Sequence, residues 1–477
     1  MDFSAVVPEI LLLVLAFVVL GLSLFASGGG KKALGYVGIA GLLAVFVLNF
    51  FWNPNSSDPT LSGMIAPDSI SRVFKGLFLL AAALTLLSSQ SFMGLGRQGE
   101  YAALVILAAA GMSLMASAAN LIMLYVAMET TSIALFILAS YLKGNIKSIE
   151  AGLKYFLFGA FASALMLYGM SLIYGMTGTT DLTGIAVAVA ALGDELLLVV
   201  VGIVLLLVGF SFKVSAVPFH MWTPDVYEGA PTPITAFISV ASKAAGFAVV
   251  LRVLFTAFGV SNVQEEWIAL VAAFSVVTMT LGNVVALTQS NIKRLLAYSS
   301  IAQAGYMLIG VISFSELGVA AVLFYLMTYT MTNIAAFTVV IIFSRVTGSE
   351  KIEDYAGLSR RSPYLALAML LALLSLGGIP PLGGFFGKFY IFGAAIEQGY
   401  VWLVVVAVLN SIVSLFYYLG VVARPMYVNR SEKENEPLPI PTPLLVTLAV
   451  GVAGVVVLGV FPRPFFELAQ QVAVALF

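Results

Sequence analysis

Five ionisable side chains lie inside apolar stretches of this sequence, where a charge is unfavourable. They are one carboxylate, Glu129, and four lysines, Lys154, Lys213, Lys243 and Lys388. A charged group at the centre of a membrane helix costs about 2.5–3.5 kcal/mol on insertion scales. Ammonium and carboxylate groups can each hold and release a proton, and burial and neighbouring charges shift their pKa values. We therefore predict proton transfer at Glu129, Lys213, Lys243 and Lys388, and either packing or a relay at the shallower Lys154.

The sequence contains a single histidine, His220, and no cysteine. His220 follows Pro218 in an apolar stretch, where a hydrogen-bonded structural role and a proton relay are both open. A lone histidine excludes a paired-histidine haem site within the chain. The lack of cysteine excludes disulfides, thiolate catalysis, cysteine-ligated iron–sulfur clusters and thiolate zinc sites. We therefore expect no cofactor in this chain and no bound metal.

The composition identifies the environment in which these side chains must be placed. The chain has 477 residues, of which 61% are hydrophobic and only 9% are charged, whereas roughly 25% are charged in an average soluble domain. So few charges cannot cover the surface of a soluble protein of this size. The composition excludes a soluble enzyme, a nucleic-acid-binding protein and a disordered chain, and predicts an all-α integral membrane protein.

The apolar stretches are continuous and long enough for helices of about 20 residues, the length that spans a bilayer. We predict about fourteen spans, at 4–26, 33–52, 72–93, 101–119, 120–142, 149–175, 195–222, 233–258, 266–287, 292–313, 317–345, 362–398, 400–424 and 441–461.

Loop charges predict the orientation of these spans. The loops on one side carry Lys31, Lys32, Arg97, Lys143, Lys147, Lys293, Arg294, Arg345, Lys351, Arg360, Arg361, Arg424, Arg430 and Lys433. The opposite loops carry Asp58, Asp68, Asp181, Asp194, Glu195, Glu265, Glu266, Glu316 and Glu397. Because basic loops stay inside, both termini are expected on the outer side, the periplasmic side of a bacterial cell membrane. Arg72, Lys75, Arg252 and Arg463 lie near the outer boundary, where a long side chain can snorkel to water.

Two of the predicted spans are interrupted. The seventh contains Ser215 and Pro218 just after Lys213, and the twelfth contains a Gly377–Gly384 segment with two prolines before Lys388. Proline removes a backbone donor and clashes with the preceding turn, so both helices are expected to break. Broken helices five spans apart suggest two inverted five-helix repeats, spans 4–8 and 9–13. The corresponding division is residues 1–100 (three-helix segment), 101–260 (first repeat), 261–424 (second repeat) and 425–477 (inner loop and last span).

Four motifs resemble a known family, the proton-conducting membrane subunits of NADH–quinone oxidoreductase (complex I). They are YVAMETT at 125–131, KVSAVPFHMWTPDVYEGAPTPITAF at 213–237, NIKRLLAYSSIAQAGY at 291–306 and GGIPPLGGFFGKFY at 377–390. Within the family, the chain is most similar to the N type. It ends at Phe477 without the long lateral helix of the L type, and it has Lys388 where the M type usually has glutamate.

The resemblance implies a mechanism and a set of partners. It implies that Glu129 and Lys213 form an ion pair, that Lys243 relays the proton, and that Lys388 lies on the outer half of the route. Many relatives have histidine at the position of Gln303, and because glutamine cannot titrate near pH 7, water would have to serve there. NADH, FMN, iron–sulfur clusters and quinone are implied in partner subunits. The implied neighbours are other antiporter-like and small membrane subunits, together with lipid.

Two other functions remain open at this stage. The motifs are shared with cation/proton antiporter complexes, so the chain could exchange protons for sodium without a redox partner. A passive scaffold that conducts nothing is the third class. Lys388 and the N-like ending favour the proton-translocating subunit of a respiratory NADH–quinone oxidoreductase.

Overall fold

The computed structural model describes residues 3–26, 30–52, 60–92, 97–193, 196–430 and 436–477. Among the loop charges used to predict orientation, Asp58, Asp194, Glu195 and Lys433 lie outside these residues. The described residues form helices and connecting loops without any β-strand. The predicted all-α class is therefore confirmed.

The helices follow the predicted spans closely. In chain order they are α1 Val7–Phe25, α2 Gly30–Phe51, α3 Ser69–Ser89, α4 Gln98–Ser117, α5 Leu121–Ala139, α6 Ile146–Thr177, α7 Leu182–Ala191, α8 Leu197–Val214, α9 Trp222–Gly229, α10 Thr232–Phe237, α11 Lys243–Thr256, α12 Ser261–Ala286, α13 Ile292–Ile312, α14 Glu316–Thr347, α15 Leu358–Arg361, α16 Pro363–Gly377, α17 Gly383–Glu397, α18 Val401–Leu415, α19 Arg424–Val428, α20 Thr442–Val460 and α21 Pro462–Ala473. Within the described residues, thirteen helical segments are long and apolar enough to cross a membrane. The shorter helices α16 and α17 together supply the fourteenth predicted span.

Both predicted interruptions are present. Helix α8 ends at Val214, and Ser215 then adopts a left-handed backbone conformation with φ 64°. Helix α16 ends at Gly377, and Gly378 takes the same role with φ 83°. A residue with positive φ satisfies free carbonyls at a helix end and turns the chain away from the helix axis. The turn places Lys213 beside the first break and leaves the end of α16 facing Lys388.

The two halves of the chain share further features. The third helix of each half, α6 and α14, has 32 residues and ends at a glycine with positive φ, Gly178 or Gly348. The second helix of each half starts at an asparagine cap, Asn120 or Asn291, whose side chain accepts hydrogen bonds from backbone amides. Each cap residue also forms an isolated β-bridge with the loop that follows the 32-residue helix. The five-helix repeat itself, with its inverted arrangement, stays a prediction.

The structure contains elements that the sequence did not predict. Two stretches of π-helix, Ile238–Ser242 and Phe416–Ala423, interrupt the eighth and thirteenth spans. The first π-helix ends immediately before Lys243. Helices α7 and α21 are additional short helices in segments that lie outside the predicted spans. Both types of error arise because neither a one-residue widening of a helix nor a short surface helix changes the hydropathy pattern that defines a span.

Burial separates a central group of helices from a peripheral one. The segment 232–256 and helices α13 and α14 are almost completely buried, whereas α1, α2, α6, α12 and α20 are largely exposed. The exposed faces are apolar and match the lipid-facing surface of an integral, multi-pass membrane protein. Polar side chains on the central helices are therefore shielded from the lipid.

Candidate functional site

Lys213 is the penultimate residue of α8 and is buried, with 4% of its surface exposed. Its ammonium donates a hydrogen bond to the Ser132 hydroxyl at 2.6 Å. Ser132 in turn donates to the Met128 carbonyl at 2.6 Å. Lys213 is therefore held by a neutral hydroxyl of α5, one helical turn from Glu129.

The expected ion pair between Glu129 and Lys213 is absent in this conformation. Glu129 is partly buried, and its carboxylate accepts a hydrogen bond from Ser163 on α6 instead. Among the described residues, no carboxylate lies within salt-bridge distance of Lys213. Ser132 follows Glu129 by three residues on α5, so the two side chains lie on the same face of the helix, one turn apart. The Lys213 ammonium lies at the level of Ser132 and binds its hydroxyl.

Lys243 occupies the first position of α11 and is buried, with 1% of its surface exposed. Its ammonium donates to the Ser300 carbonyl on α13 at 2.6 Å. The Ser300 hydroxyl lies 3.1 Å from the hydroxyl of Tyr227. Helices α8 and α11 approach closely next to this site. A Cβ placed on Gly246 would lie only 3.2 Å from the Cβ of Lys213, so a larger residue than glycine would crowd the contact. Lys213 and Lys243 thus project from two adjacent helices of the same core.

Lys388 on α17 is buried beside the second break, with 5% of its surface exposed. Its ammonium lies 3.3 Å from both the Gly377 carbonyl and the Ser411 hydroxyl. It also lies 4.5 Å from the ring centroid of Tyr306, a cation–π distance. Gly377 ends α16, and helix C-termini carry free carbonyls and partial negative charge. The broken helix therefore provides the local negative potential that a buried ammonium needs.

A hydrogen-bond network occupies the space between Lys243 and Lys388. The Gln303 amide donates to the Leu376 carbonyl at 3.0 Å and to the Tyr418 hydroxyl at 3.2 Å. Its carbonyl accepts a hydrogen bond from Tyr325. Tyr418 lies 2.5 Å from the hydroxyl of Ser299, which precedes Ser300 in the chain. Gln303 is therefore a polar junction surrounded by hydroxyl groups, although it cannot itself titrate.

Lys154 is not an isolated charge in the apolar interior. Its ammonium pairs with Glu150 at 2.7 Å and with Asp225 at 2.5 Å, and about a third of its side chain is exposed. Asp225 also pairs with Arg294 at 2.7 Å. Although burial raises it, hydrogen bonds from Lys154 and Arg294 leave the pKa of Asp225 below its ordinary value. Asp225 thus braces the loop before α10, and a relay role for Lys154 stays a prediction.

His220 lies in the turn between α8 and α9 and is 9% exposed. Its Nδ1 atom is buried and has no hydrogen-bond partner among the described residues. The backbone at Val217, in the same turn, donates to the Thr278 hydroxyl of α12 at 2.9 Å. The turn is therefore anchored to the second half of the chain, and both roles of His220 stay open.

Two buried ion pairs were missed by the sequence analysis. Lys75 of α3 pairs with Glu9 of α1 at 2.7 Å, with side chains 5% and 3% exposed. Arg252 of α11 makes a bidentate pair with Asp68 at 2.8 and 2.9 Å. Although burial raises it, Arg252 holds the pKa of Asp68 below its ordinary value. Lys75 and Arg252 are therefore paired with carboxylates inside the protein instead of snorkelling to water. The position of Glu9 inside the first apolar stretch could have indicated that a basic residue lies buried beside it.

Breaking the Glu9–Lys75 pair should destabilise the N-terminal helices. Lys75→Met leaves Glu9 buried without a partner, which typically costs about 3–5 kcal/mol. The double variant Glu9→Met with Lys75→Met removes both charges and is expected to recover most of that loss. The measurement is the unfolding midpoint and the yield of the purified assembly, with Lys351→Met as a control because Lys351 belongs to an exposed pair. Wild-type stability of Lys75→Met would contradict the interpretation.

Among the described residues, no group of three or more His, Asp or Glu side chains could hold a metal ion. The buried lysines, Glu129 and the hydroxyl network can hold and pass protons.

The fold and the site together define a class of protein, a multi-span membrane protein with titratable groups in its core. The family model described as NADH:quinone oxidoreductase/Mrp antiporter, TM matches residues 118–414. The chain belongs to this family, which confirms the resemblance noted in its motifs.

Individual relatives match over nearly the full length. NADH-quinone oxidoreductase subunit N of Moorella thermoacetica is 47% identical over 472 residues, covering 98% of each chain. A chain of respiratory complex I from Thermus thermophilus superposes with a TM-score of 0.80 at 35% identity, covering 97% of this chain and 99% of that one. A chain of the Mrp complex from Dietzia shares the fold, with a TM-score of 0.81 at 23% identity, covering 100% of this chain and 98% of that one.

Proposed function

We propose that this chain is the N-type proton-translocating membrane subunit of a respiratory NADH–quinone oxidoreductase. The observation that carries the proposal is the placement of Lys213, Lys243 and Lys388 in one buried core, with a hydrogen-bond network between the last two. The full-length similarity to subunit N of Moorella thermoacetica supports the assignment to this complex. NADH, FMN, iron–sulfur clusters and quinone then belong to partner subunits.

The proposed route starts at Glu129 and Lys213 and continues through Lys243 to Lys388. Between the two last lysines, the hydroxyl groups around Gln303, together with water, would carry the proton. Neutral Gln303 keeps these hydroxyls in place without storing the proton. Lys388, beside the broken helix, would pass the proton toward the outer side.

Movement of Glu129 would control the affinity of Lys213 for its proton. At an effective dielectric constant of about 20, changing a charge separation from ~4 to ~8 Å changes the interaction by roughly 2 kcal/mol. That is about 1.5 pKa units. The observed conformation, with Glu129 bonded to Ser163, corresponds to the separated arrangement. Approach of Glu129 would load Lys213, and separation would release the proton toward Lys243.

Energy for transport must come from outside this chain. Moving one charge against a membrane potential requires about 2.3 kcal/mol per 100 mV. The sequence contains no cysteine for a redox cluster. The only GxGxxG pattern, at 94–99, lies between two apolar stretches and does not follow a predicted strand, so it does not indicate a nucleotide site. Electron transfer in partner subunits, transmitted through neighbouring membrane subunits, would supply this free energy.

We also propose the division and orientation expected from the sequence. Residues 101–260 and 261–424 would be two inverted repeats, between the segments 1–100 and 425–477. The paired 32-residue helices and asparagine caps support this division. Both termini would face the outer side of a bacterial cell membrane.

The competing function is a cation/proton antiporter subunit without a redox partner. The shared fold with the Mrp chain keeps the two functions structurally close. Affinity purification separates them: the proposal expects flavin- and iron–sulfur-containing proteins with NADH-dependent quinone reduction in the purified assembly. Sodium-driven proton flux in vesicles that contain this chain alone would favour the antiporter.

Lys388→Ala should impair pumping, because it removes the proton-holding group between Gly377 and Ser411. The expected result is normal assembly with a several-fold lower rate of proton translocation, measured by a pH-sensitive dye in vesicles supplied with NADH. Lys143→Ala, at an exposed loop lysine, is the matched control and should pump normally. Wild-type coupling of Lys388→Ala would remove Lys388 from the route.

A further inference from the structure

Two buried asparagines, Asn283 on α12 and Asn410 on α18, take no part in the proposed route. Their exposed fractions are 0% and 8%. The Asn283 amide donates to the Tyr306 hydroxyl at 2.9 Å and to the side-chain carbonyl of Asn410 at 3.4 Å. Its own side-chain carbonyl accepts from the Tyr417 hydroxyl at 2.9 Å. Asn283 therefore uses both amide hydrogens, and it joins α12 to α13, to α18 and to the second π-helix.

Close packing of α12 against α13 places Asn283 beside Tyr306. A Cβ on Gly282 would lie 2.6 Å from a backbone nitrogen of α13, and a Cβ on Gly305 would lie 2.6 Å from a backbone nitrogen of α12. Small residues at a membrane helix interface let two backbones approach this closely. Because these glycines immediately precede Asn283 and Tyr306, the amide and the hydroxyl that bond across the interface lie next to the points of closest approach.

The network that contains Asn283 contacts Lys388 at two points. The Tyr306 ring centroid lies 4.5 Å from the Lys388 ammonium. Asn410 immediately precedes Ser411, whose hydroxyl lies 3.3 Å from the same ammonium. Among the residues that the structure describes, Lys388 has no carboxylate within salt-bridge distance. The strength of a cation–π contact depends on where the ring lies, so the position of the Tyr306 ring affects how firmly Lys388 holds its proton.

We propose that Asn283 is a positioning residue for proton transfer at Lys388, because its bond to the Tyr306 hydroxyl fixes the Tyr306 ring beside the ammonium. The inference rests on the proposed function, since it concerns how Lys388 holds a proton on the same route. Without this bond, the ring would be free to move away from the ammonium, which would lose a contact that stabilises its charge. Asn410 and Tyr417 hold Asn283 in turn, and a fully bonded polar network of this kind is rigid.

Loss of the bond between Asn283 and Tyr306 should slow pumping although Lys388 is still present. Asn283→Leu is expected to lower the rate of NADH-driven proton translocation per assembled complex several-fold, measured by a pH-sensitive dye in vesicles. Tyr306→Phe keeps the ring but removes the hydroxyl that accepts from Asn283, so it should show a similar loss, and it is the milder variant if Asn283→Leu does not assemble. Asn49→Leu is the matched control and should pump normally, because Asn49 is also buried in a membrane helix but donates to the Arg72 carbonyl in the N-terminal segment.

A double-mutant cycle with Lys388→Ala separates positioning from a general structural role. If Asn283 acts through Lys388, Asn283→Leu should cause no further loss of pumping in a Lys388→Ala complex. A loss by the same factor in both backgrounds would overturn the proposal, as would wild-type pumping by an assembled Asn283→Leu or Tyr306→Phe complex.

The same measurements separate a failure of this proposal from a failure of the proposed route. Impaired pumping in Lys388→Ala together with normal pumping in Asn283→Leu would reject the positioning role alone. Normal pumping in Lys388→Ala would remove Lys388 from the route, and the positioning role of Asn283 with it.

Discussion

Lys213→Ala is expected to lower NADH-driven proton pumping about tenfold or more, the effect of ~1.4 kcal/mol on a barrier. The ammonium of Lys213 is a proton-holding group bound to Ser132, one helical turn from Glu129, and alanine leaves only the Ser132 hydroxyl in its place. Assembly should be normal, because the lost hydrogen bond is single and its partner Ser132 retains a bond to the Met128 carbonyl. The measurement is the rate of vesicle acidification per NADH oxidised.

Glu129→Gln provides the companion variant. The amide keeps the shape and can accept from Ser163, but it cannot change the charge that acts on Lys213. We expect a similar loss of pumping with unchanged assembly. Lys143→Ala, which alters an exposed loop lysine, is the control. Full pumping by an assembled Lys213→Ala complex would refute the assigned role of Lys213, and full pumping by Glu129→Gln would refute that of Glu129.

Lys243→Met is expected to have an effect of comparable size. The Lys243 ammonium donates to one backbone carbonyl and pairs with no carboxylate among the described residues. Methionine fills a similar volume without a titratable group, so the interior stays packed while the proton carrier is lost. Vesicle acidification and NADH oxidation, measured together, give the loss of coupling.

Lys243→Arg distinguishes proton transfer from a fixed structural charge. Arginine retains the positive charge, but it does not release a proton in proteins because its pKa exceeds about 12. If Lys243 relays protons, the arginine variant should pump as poorly as the methionine variant. Recovery of pumping by arginine would show that only the charge is needed at this position.

Much of the architecture follows from local features of the sequence. Continuous apolar stretches predicted the spans because a bilayer requires helices of a minimum length. The two breaks were predictable because Pro218, Gly378 and Pro380 act on their own backbone neighbourhood. All of these are properties of position along one helix.

The contacts of the charged groups were decided only by the tertiary structure. Lys213 binds Ser132 rather than Glu129, Lys154 reaches Asp225, and Lys75 is buried against Glu9. Each of these contacts joins residues more than 60 positions apart in the chain. Hydropathy gives depth along the helix axis but carries no information about which neighbouring helix each face meets. That choice depends on the packing of all helices together, and it determines whether a charged side chain meets water, an opposite charge or a hydroxyl group.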